Sequence, residues 1–319
     1  MDESDESLVT VVTDAVSGVP KELRKPFYKA CADLLGGLVA VPAAKLEQFA
    51  QSIKDTTNGR SLAANALAKV VAENACDDPD MVAIAAELYL PAGLRKVRNK
   101  IEVAKRAAAH LPTIFPDDSL DKALPPEDDW MNKFMRFSED ASSERLRDLF
   151  GRILAGQIKK PKSFSASTLR TLSELDQDIA EDFLFAWSLS VGESVDYDGV
   201  WQLGVGFERW KRLTEAGLMA ATNTSRFLPP FKPLIEGASL WMPVSVDGIS
   251  LLVHYIEDSQ AKWNHIDFTR VGREIGSILD KPDYEKNIRA MGNRLPQKGL
   301  TKIYLCKEGL PQELIWKLR

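Results

Sequence analysis

The chain has 319 residues, which is enough for two or three domains of ordinary size. Hydrophobic residues make up 45% and charged residues 27%, so the composition is that of a globular protein and excludes wholesale disorder. The net charge of −5 excludes a protein that coats nucleic acid by bulk positive charge, although it is compatible with a local basic face.

The three cysteines, Cys31, Cys76 and Cys306, are scattered and form no C-x-x-C pair. This pattern favours buried thiols in a reducing compartment over a disulfide framework. The first seven residues are acidic, whereas a secretory signal begins with positive charge followed by an apolar run. No stretch reaches about 18 consecutive apolar residues. We therefore expect a cytoplasmic protein without a membrane-spanning helix.

The N-terminal region, residues 1–111, is predicted to be helical. Residues 30–44 are rich in alanine, glycine, leucine and valine, and they predict either a buried pair of short helices or a segment that enters a membrane interface. Ala-rich helical segments are predicted at 61–76 and 80–90. Apolar residues then recur at steps of three and four, which places them on one face of a helix. The members of that face are Leu94, Val97, Ile101, Ala104, Ala108 and Leu111.

Prolines and acidic residues at 112–129 predict a linker, because proline fixes φ and removes a backbone donor. Residues 130–195 follow as a second helical domain, in which Trp130, Phe134 and Phe137 form one apolar stripe. The apolar residues at 146–158 are spaced so that they lie on one helix face, and they predict another helix of this domain. Ser165 is predicted to cap a third helix and Asp176 a fourth.

The sequence pattern changes after residue 195, and residues 196–319 are predicted to form a mixed α/β domain. A helix from Gly206 to Ala216 precedes strands at 240–246 and 249–256, and the Asp-Gly pair between these strands is a strong hairpin signal. A helix at 268–279 and a strand at 301–306 follow. The predicted fold class is therefore mainly α, with a helical N-terminal half and a C-terminal α/β part.

Sequence motifs for catalysis, cofactors and metals are missing. The chain has no G-x-x-x-x-G-K-[ST] phosphate loop, no H-E-x-x-H, no G-x-S-x-G and no acidic-x-Lys triplet of the Mg²⁺-dependent nucleases. His110, His254 and His265 are not at metal-ligand spacing, and the acidic clusters at 77–80 and 117–121 are interpreted as capping and loop residues. We predict no catalytic residue, no cofactor and no metal. A nuclease-like enzyme with a site assembled from scattered residues is kept as an alternative.

Two basic faces are the candidate binding sites. One lies opposite the apolar face of the helix that ends near residue 111, and the other combines arginines of the 146–158 helix with the lysine-rich loop and the hydroxyl residues that follow. Lysine, arginine, hydroxyl groups and helix-start amides can all bind phosphate, so the faces predict contact with nucleic acid or with a protein partner. A merely solvated surface is the alternative. The candidate residues are Arg95, Arg98, Lys105, Arg106, Arg145, Arg152, Lys159, Lys160, Lys162, Ser165 and Arg170.

The C-terminal part resembles a winged-helix domain. Leu213 and Ala216-Gly217-Leu218 end a helix before a hairpin, and the run from Phe268-Thr269 to Ile275 is similar to helix starts that follow such wings. The resemblance implies either a helix that enters a nucleic-acid groove or a module for protein interaction. Charges of both signs on the 206–216 helix leave both open.

Residues 130–183 resemble a bacterial protein family of unknown function through the block LRDLFGRILAGQIKKPKSFSASTLRTL at 146–172. A looser pattern in the same helix pair resembles the abortive-infection alpha-type proteins of phage defence. The first resemblance implies no activity, and the second implies a defence context. The arginines of the block are either interface anchors or partners of Asp148.

The sequence as a whole predicts a non-enzymatic binding protein, acting as a sensor or accessory component in a bacterial defence or stress response. Its partner is predicted to be a protein or a nucleic acid, and a homo-oligomer is a further possibility. Besides the nuclease-like enzyme, the alternative is a toxin-like effector that acts at a membrane through residues 30–44.

Overall fold

The computed structural model describes residues 19–35, 79–112, 123–228, 239–256 and 259–318. The chain divides into two units, Met1–Ser173 and Glu174–Arg319. Helices form the described part of the first unit, and sheets of antiparallel strands lie in the second. This confirms a helical N-terminal and middle part followed by an α/β C-terminal part.

Five helices are described in the first unit, and an aromatic cluster lies at the centre of their packing. They are α1 (Lys21–Leu34), α2 (Pro79–His110), α3 (Asp128–Ser138), α4 (Glu144–Lys159) and α5 (Ala166–Ser173). The ring of Phe134 lies 5.0 Å from that of Trp130 and 5.6 Å from that of Phe150. Trp130 Nε1 donates to the carbonyl oxygen of Phe164 at 2.8 Å, so the one polar atom of this cluster is satisfied as well.

Helices α2 and α4 cross at a point where both carry small residues. A Cβ added to Gly151 would lie 2.5 Å from Cβ of Arg106 and 2.9 Å from the backbone nitrogen of Ala107. Ala108 and Ala155 are also buried here. The absence of a side chain at Gly151 therefore allows the two helix backbones to approach closely.

Two predictions about the N-terminal region change in the structure. α2 runs without a break from Pro79 to His110, through Pro91. The predicted apolar face is confirmed from Ile101 to Leu111 but is wrong at Val97, whose side chain is 43% exposed. This end of α2 instead faces the connection between α3 and α4, where Asn99 Nδ2 donates to the carbonyl oxygen of Glu139.

Three side chains in the described part of the 30–44 segment are buried within the first unit. Ala30, Cys31 and Leu34 of α1 are at most 2% exposed, and burial raises the pKa of the Cys31 thiol to about 12. Residues 36–44 lie outside the described residues, as do the acidic tail at 1–7, the predicted helix at 61–76 and the acidic residues at 77–78 and 117–121.

One part of the second unit combines helices with a three-stranded antiparallel sheet, in which the strand β6 lies between β1 and β2. Its elements are α6 (Gln177–Ser188), β1 (Ser194–Asp196), α7 (Gly199–Gln202), α8 (Gly204–Glu215), β2 (Thr224–Phe227), β6 (Lys262–Asp267) and α9 (Arg270–Gly276). Phe183 and Trp187 of α6 contact the ring of Phe268 at 5.8 and 5.2 Å. The division between the units falls before α6, whereas the predicted domain boundary follows residue 195.

A second sheet has the strand order β3-β5-β7-β8, with β4 paired to β5. Its strands are β3 (Ser239–Trp241), β4 (Ser245–Val246), β5 (Ile249–Tyr255), β7 (Leu300–Lys307) and β8 (Glu313–Lys317), and α10 (Tyr284–Arg294) covers one face. Ile288 and Met291 of α10 share a core with Leu251 and Ile303. The predicted Asp247-Gly248 turn is confirmed, and both residues have the positive φ that such hairpin turns require.

Several short elements of the second unit are not predicted from sequence: β1, β2, β6, β8, α7 and α10. The predicted helix at 268–279 is shorter than expected and spans Arg270–Gly276, with Thr269 Oγ1 accepting from the backbone nitrogen of Gly272 at its start. Among the described residues, no helix combines the length and the apolar character that crossing a membrane requires.

Candidate partner-binding surface

The connection between α7 and α8 holds four apolar side chains in solvent. We define the α7–α8 surface as Val200, Leu203, Val205 and Phe207, which are 43%, 82%, 69% and 43% exposed. Exposed apolar side chains are common singly, but four within eight residues are a concentration of exposed apolar surface of the kind that marks interaction sites.

The local sequence explains why these side chains face outward. Asp198 Oδ1 accepts from the backbone nitrogen of Val200 and starts α7, and Trp201 is buried as its anchor. Gly206 lies so close to α7 that a Cβ at this position would overlap the carbonyl oxygen of Val200. The tight turn between the helices leaves no interior space for Leu203 or Val205.

The two arginines of α8 are held by α6. Arg209 Nε donates to Asp182 Oδ1 at 3.0 Å, and Arg212 Nε donates to Asp182 Oδ2 at 2.8 Å. Asp182 is 5% exposed, and the guanidinium of Arg209 also lies 4.4 Å from the centre of the Phe185 ring. The two arginines are thereby fixed as structural partners of α6.

The first predicted basic face is partly neutralised by an acid of α2 itself and by one at the start of α4. Lys105 pairs with Glu102 at 3.0 Å and Arg106 with Glu144 at 2.7 Å. Within the described ranges, Arg95 and Arg98 are exposed and make no ion pair. Only these two candidates of this face retain a solvent-facing charge without a carboxylate partner in that part of the chain.

Lys96 and Lys100 of the same helix converge on Glu139, at 2.7 and 3.2 Å. Burial raises the pKa of Glu139, but the hydrogen bonds and charges of the two lysines outweigh this effect and lower it overall. The carboxylate is therefore held in its ionised form, and the lysines serve to attach α2 to the end of α3.

The two predicted basic faces meet at Asp148 of α4. Its Oδ1 lies 2.7 Å from Nε2 of His110 and 3.7 Å from a guanidinium nitrogen of Arg106, while its Oδ2 accepts from Nε of Arg152 at 3.0 Å. Burial raises the pKa of Asp148, yet the hydrogen bonds from His110 and Arg152 lower it overall. Of the two roles predicted for the arginines of the block, Arg152 has that of an Asp148 partner.

The second basic face is divided among different environments. Lys159, the last residue of α4, is buried at 3%, whereas Arg145 and Lys160 are exposed. Lys162 Nζ lies 3.3 Å from Glu127 Oε1, with both side chains largely in solvent. This lysine cluster therefore does not present one continuous charged surface.

Ser165 and Arg170 of this face have separate roles. The Oγ of Ser165 accepts from the backbone nitrogen of Thr168 at 3.3 Å, which gives it the predicted capping position before α5. Arg170 is exposed on α5. The assignment of these residues and of the other basic candidates to a ligand stays a prediction.

The histidines lie in three different surroundings. His110 belongs to the Asp148 cluster, His254 is half-buried on β5, and His265 is buried on β6 with Nε2 at 3.0 Å from Thr224 Oγ1. Across the described ranges, no three His, Cys, Asp or Glu side chains are grouped so that they could hold a metal ion together.

The α7–α8 surface is the site that sequence reasoning missed. Apolar residues are assigned to the core by default, and the sequence does not reveal that the turn at Gly206 leaves them outside. A usable signal was their spacing, because Leu203, Val205 and Phe207 follow steps of two in a segment whose buried residues, Trp210 and Leu213, follow a step of three.

Comparison with known proteins adds a family match to the middle of the chain. Residues 95–223 match a family model described as a protein of unknown function, DUF2806. This supports the predicted resemblance to a family of unknown function, and the 146–172 block lies inside the match. No curated protein matches the chain. No solved structure matches it either.

Proposed function

We propose that this chain is a non-enzymatic binding protein whose second unit contacts a protein partner through the α7–α8 surface. The observation that carries the proposal is the exposure of Leu203 and Val205, at 82% and 69%, at the start of a helix that is otherwise anchored. The surface lies within the residues that match the family model.

A winged-helix arrangement of the second unit is part of the proposal. The order α6, β1, α7, α8, β2, β6 with the strand order β1-β6-β2 supports it, because a helix, a strand, two helices and two further strands make up such a domain. α8 then takes the position of the helix that enters a groove in nucleic-acid-binding members. The connection from β2 to β6 departs from a simple wing, since it contains β3, β4 and β5.

The chemistry at the start of α8 favours protein over nucleic acid. Base edges are read by side-chain donors and acceptors, and Gly204, Val205, Gly206 and Phe207 offer none. The arginines of α8 are engaged by Asp182, as described above. Apolar and aromatic side chains are enriched at the centres of protein interfaces, where a few of them supply most of the binding free energy.

Site-specific photo-crosslinking tests this proposal directly. A photoreactive amino acid is placed at Val205 of the full chain, and the same amino acid at Val97, an exposed valine of α2, is the control. We expect a discrete protein adduct from position 205 that is lost on Leu203→Glu and is not formed from position 97. The apolar contact should also persist at moderate salt, since it does not depend on charge.

Two results would contradict the proposal. One is the absence of an adduct specific to position 205, or an adduct that Leu203→Glu leaves unchanged. The other is tight binding of labelled duplex DNA in fluorescence anisotropy that weakens steeply with salt and is lost on Lys159→Ala/Lys160→Ala/Lys162→Ala, because this would assign the activity to phosphate contacts.

The cellular context in the proposal is bacterial defence or stress, and it rests on the resemblance of one helix pair to abortive-infection proteins. The membrane-acting alternative has less support in the part of its segment that the structure describes, because Ala30, Cys31 and Leu34 are buried and therefore not available to a bilayer.

A further inference from the structure

The second sheet has one covered face and one face in solvent. Leu251 and Val253 of β5 and Ile303 and Leu305 of β7 are at most 1% exposed and lie in the core beneath α10. Successive side chains of a strand point to opposite faces. Leu252, His254, Lys302 and Tyr304 therefore belong to the other face, which we call the outer face of the second sheet.

An apolar row crosses the outer face. Leu252 of β5 is in register with Tyr304 of β7, and Tyr304 is in register with Leu314 of β8. Directly opposite residues have Cβ atoms about 4.5–5.5 Å apart, so the three side chains are neighbours along one strip, and the β7–β8 register shifts between Ile303 and Tyr304, beside this strip. Leu314 is 48% exposed, and Leu252 and Tyr304 are half-buried.

A cationic row runs directly beside the apolar row. The row consists of His254, Lys302 and Lys317, which are in register across the same three strands. At the other edge of the sheet, His254 is in register with an apolar residue, Leu240 of β3, which is 45% exposed. Neither lysine makes an ion pair within the part of the chain that the structure describes. Burial lowers the pKa of His254, and the charge of Lys302, which is opposite it in the register, lowers it further.

The lysine pair is unfavourable in the isolated chain. Like charges directly opposite each other destabilise an antiparallel pair, and Lys302 faces Lys317 in this way. β8 is an edge strand that exposes Leu314, and an exposed edge with apolar side chains favours association with another chain. A ligand that covers the leucines and brings carboxylates to the lysines would relieve both costs.

We propose that the outer face of the second sheet binds an amphipathic helix of a partner protein, with an apolar stripe flanked by acidic residues. The stripe lies along Leu252, Tyr304 and Leu314, and the acidic side chains pair with Lys302 and Lys317. Protein is favoured over single-stranded nucleic acid because the strip contains two leucines and only one aromatic ring, whereas nucleic-acid platforms stack successive bases on aromatic side chains. This surface is distinct from the α7–α8 surface and does not depend on it.

A pair of designed peptides tests the proposal with the full chain. The first is a fluorescein-labelled peptide of about 18 residues, long enough to be helical, with one leucine stripe flanked by glutamates. The second has lysine in place of each glutamate. We expect fluorescence anisotropy to show saturable binding of the glutamate peptide, and binding of the lysine peptide weaker by about tenfold or more.

Variants assign the binding to the face. Lys302→Glu/Lys317→Glu should invert the preference between the two peptides, and Leu314→Asp should abolish binding of both. Lys286→Glu is the matched control, since Lys286 is exposed on α10, the helix that covers the opposite face. Circular dichroism and the thermal midpoint establish that each variant is folded, and the charge-reversal pair leaves every core residue in place.

The proposal is overturned if neither peptide binds, if both bind equally, or if Lys302→Glu/Lys317→Glu has no more effect than Lys286→Glu. Labelled oligothymidylate is included as a competitor. If it binds the same face and displaces the glutamate peptide, the surface is one for single-stranded nucleic acid and the protein partner is rejected.

Discussion

At the scale of the residue, Gly151 determines how closely α2 and α4 pack. The space that a side chain at this position would need is occupied by Cβ of Arg106 and by the backbone of Ala107. An added side chain is destabilising in such close packing, because backbone atoms cannot move aside as a flexible side chain can. The same crossing positions Arg106 and His110 against Asp148, so the charged cluster depends on it.

We predict that Gly151→Ala lowers the free energy of unfolding by about 1–3 kcal/mol, because the added methyl group forces α2 and α4 apart. Urea denaturation followed by circular dichroism measures this. Gly93→Ala in α2 is the control, since a Cβ there meets nothing within 4 Å, and it should stabilise the helix by up to about 1 kcal/mol through intrinsic propensity. Equal effects of the two substitutions would contradict the close crossing.

At the scale of the element, one carboxylate attaches α8 to α6. Asp182 receives two arginines of α8 and is itself buried, whereas the arginines are each about one third exposed. The consequences of removing the two sides of the pair are therefore unequal. The arginines can return to water, but the carboxylate cannot.

We predict that Arg209→Met/Arg212→Met costs more stability than Asp182→Ala. The double substitution leaves a buried carboxylate unpaired and should cost about 3 kcal/mol or more, while Asp182→Ala should cost about 1–2 kcal/mol. Urea denaturation of the three proteins at neutral pH makes the comparison. If Asp182→Ala were the more damaging change, the carboxylate would have a role beyond its pairing with α8.

At the scale of the whole molecule, acid stability follows from carboxylates in both units. Burial raises the pKa of Glu139 and of Asp148, but the hydrogen bonds and charges of their basic partners lower each overall. Hydrogen bonds from Lys307 and Arg289 lower the pKa of Glu285, and a hydrogen bond from Arg289 lowers that of Glu313. Burial raises the pKa of Asp196 and acts in the opposite direction.

We predict that the free energy of unfolding decreases as the pH falls below about 5. A carboxylate with a folded-state pKa below its unfolded value contributes stability above the unfolded value, and that contribution is lost as the pH falls through the folded value. Asp148→Asn should cost about 1–2 kcal/mol at pH 7 and should make the decrease in acid less steep. Urea titrations of both proteins between pH 7 and pH 3 measure the two slopes, and parallel slopes would remove Asp148 from this account.

The helices were predictable from sequence to the extent that local signals specify them. The cap at Ser165, the hairpin at Asp247-Gly248 and the apolar spacing after Ile101 all depend on residues close in sequence. β1 and β2 have only three and four residues and are mostly polar, so they are defined by their pairing with β6 and not by their own composition.

The sequence predicts which basic residues are candidates for binding, but it does not predict the acidic residues with which they pair. Arg106 and His110 meet Glu144 and Asp148 across 38 residues of sequence, and this pairing depends on the register of two helices. Lys159 was predicted to belong to an exposed loop, but α4 continues through it and buries it. The sequence shows which residues carry a positive charge and could bind an anion. Only the fold shows which of these residues are already paired with a carboxylate of the same chain.

The interleaving of the two sheets of the second unit has a consequence for how the chain folds during synthesis. β2 is complete at residue 227, yet the strand that joins it to β1 is not complete until residue 267, after β3, β4 and β5 have been synthesised. The pairing of β5 with β7 likewise cannot form until residues 300–307 have been made. Each sheet therefore closes around a long loop that contains part of the other, which slows folding and couples the two closures. A nascent chain that ends with the family-matched residues, at 223, lacks β6, the strand with which β1 pairs.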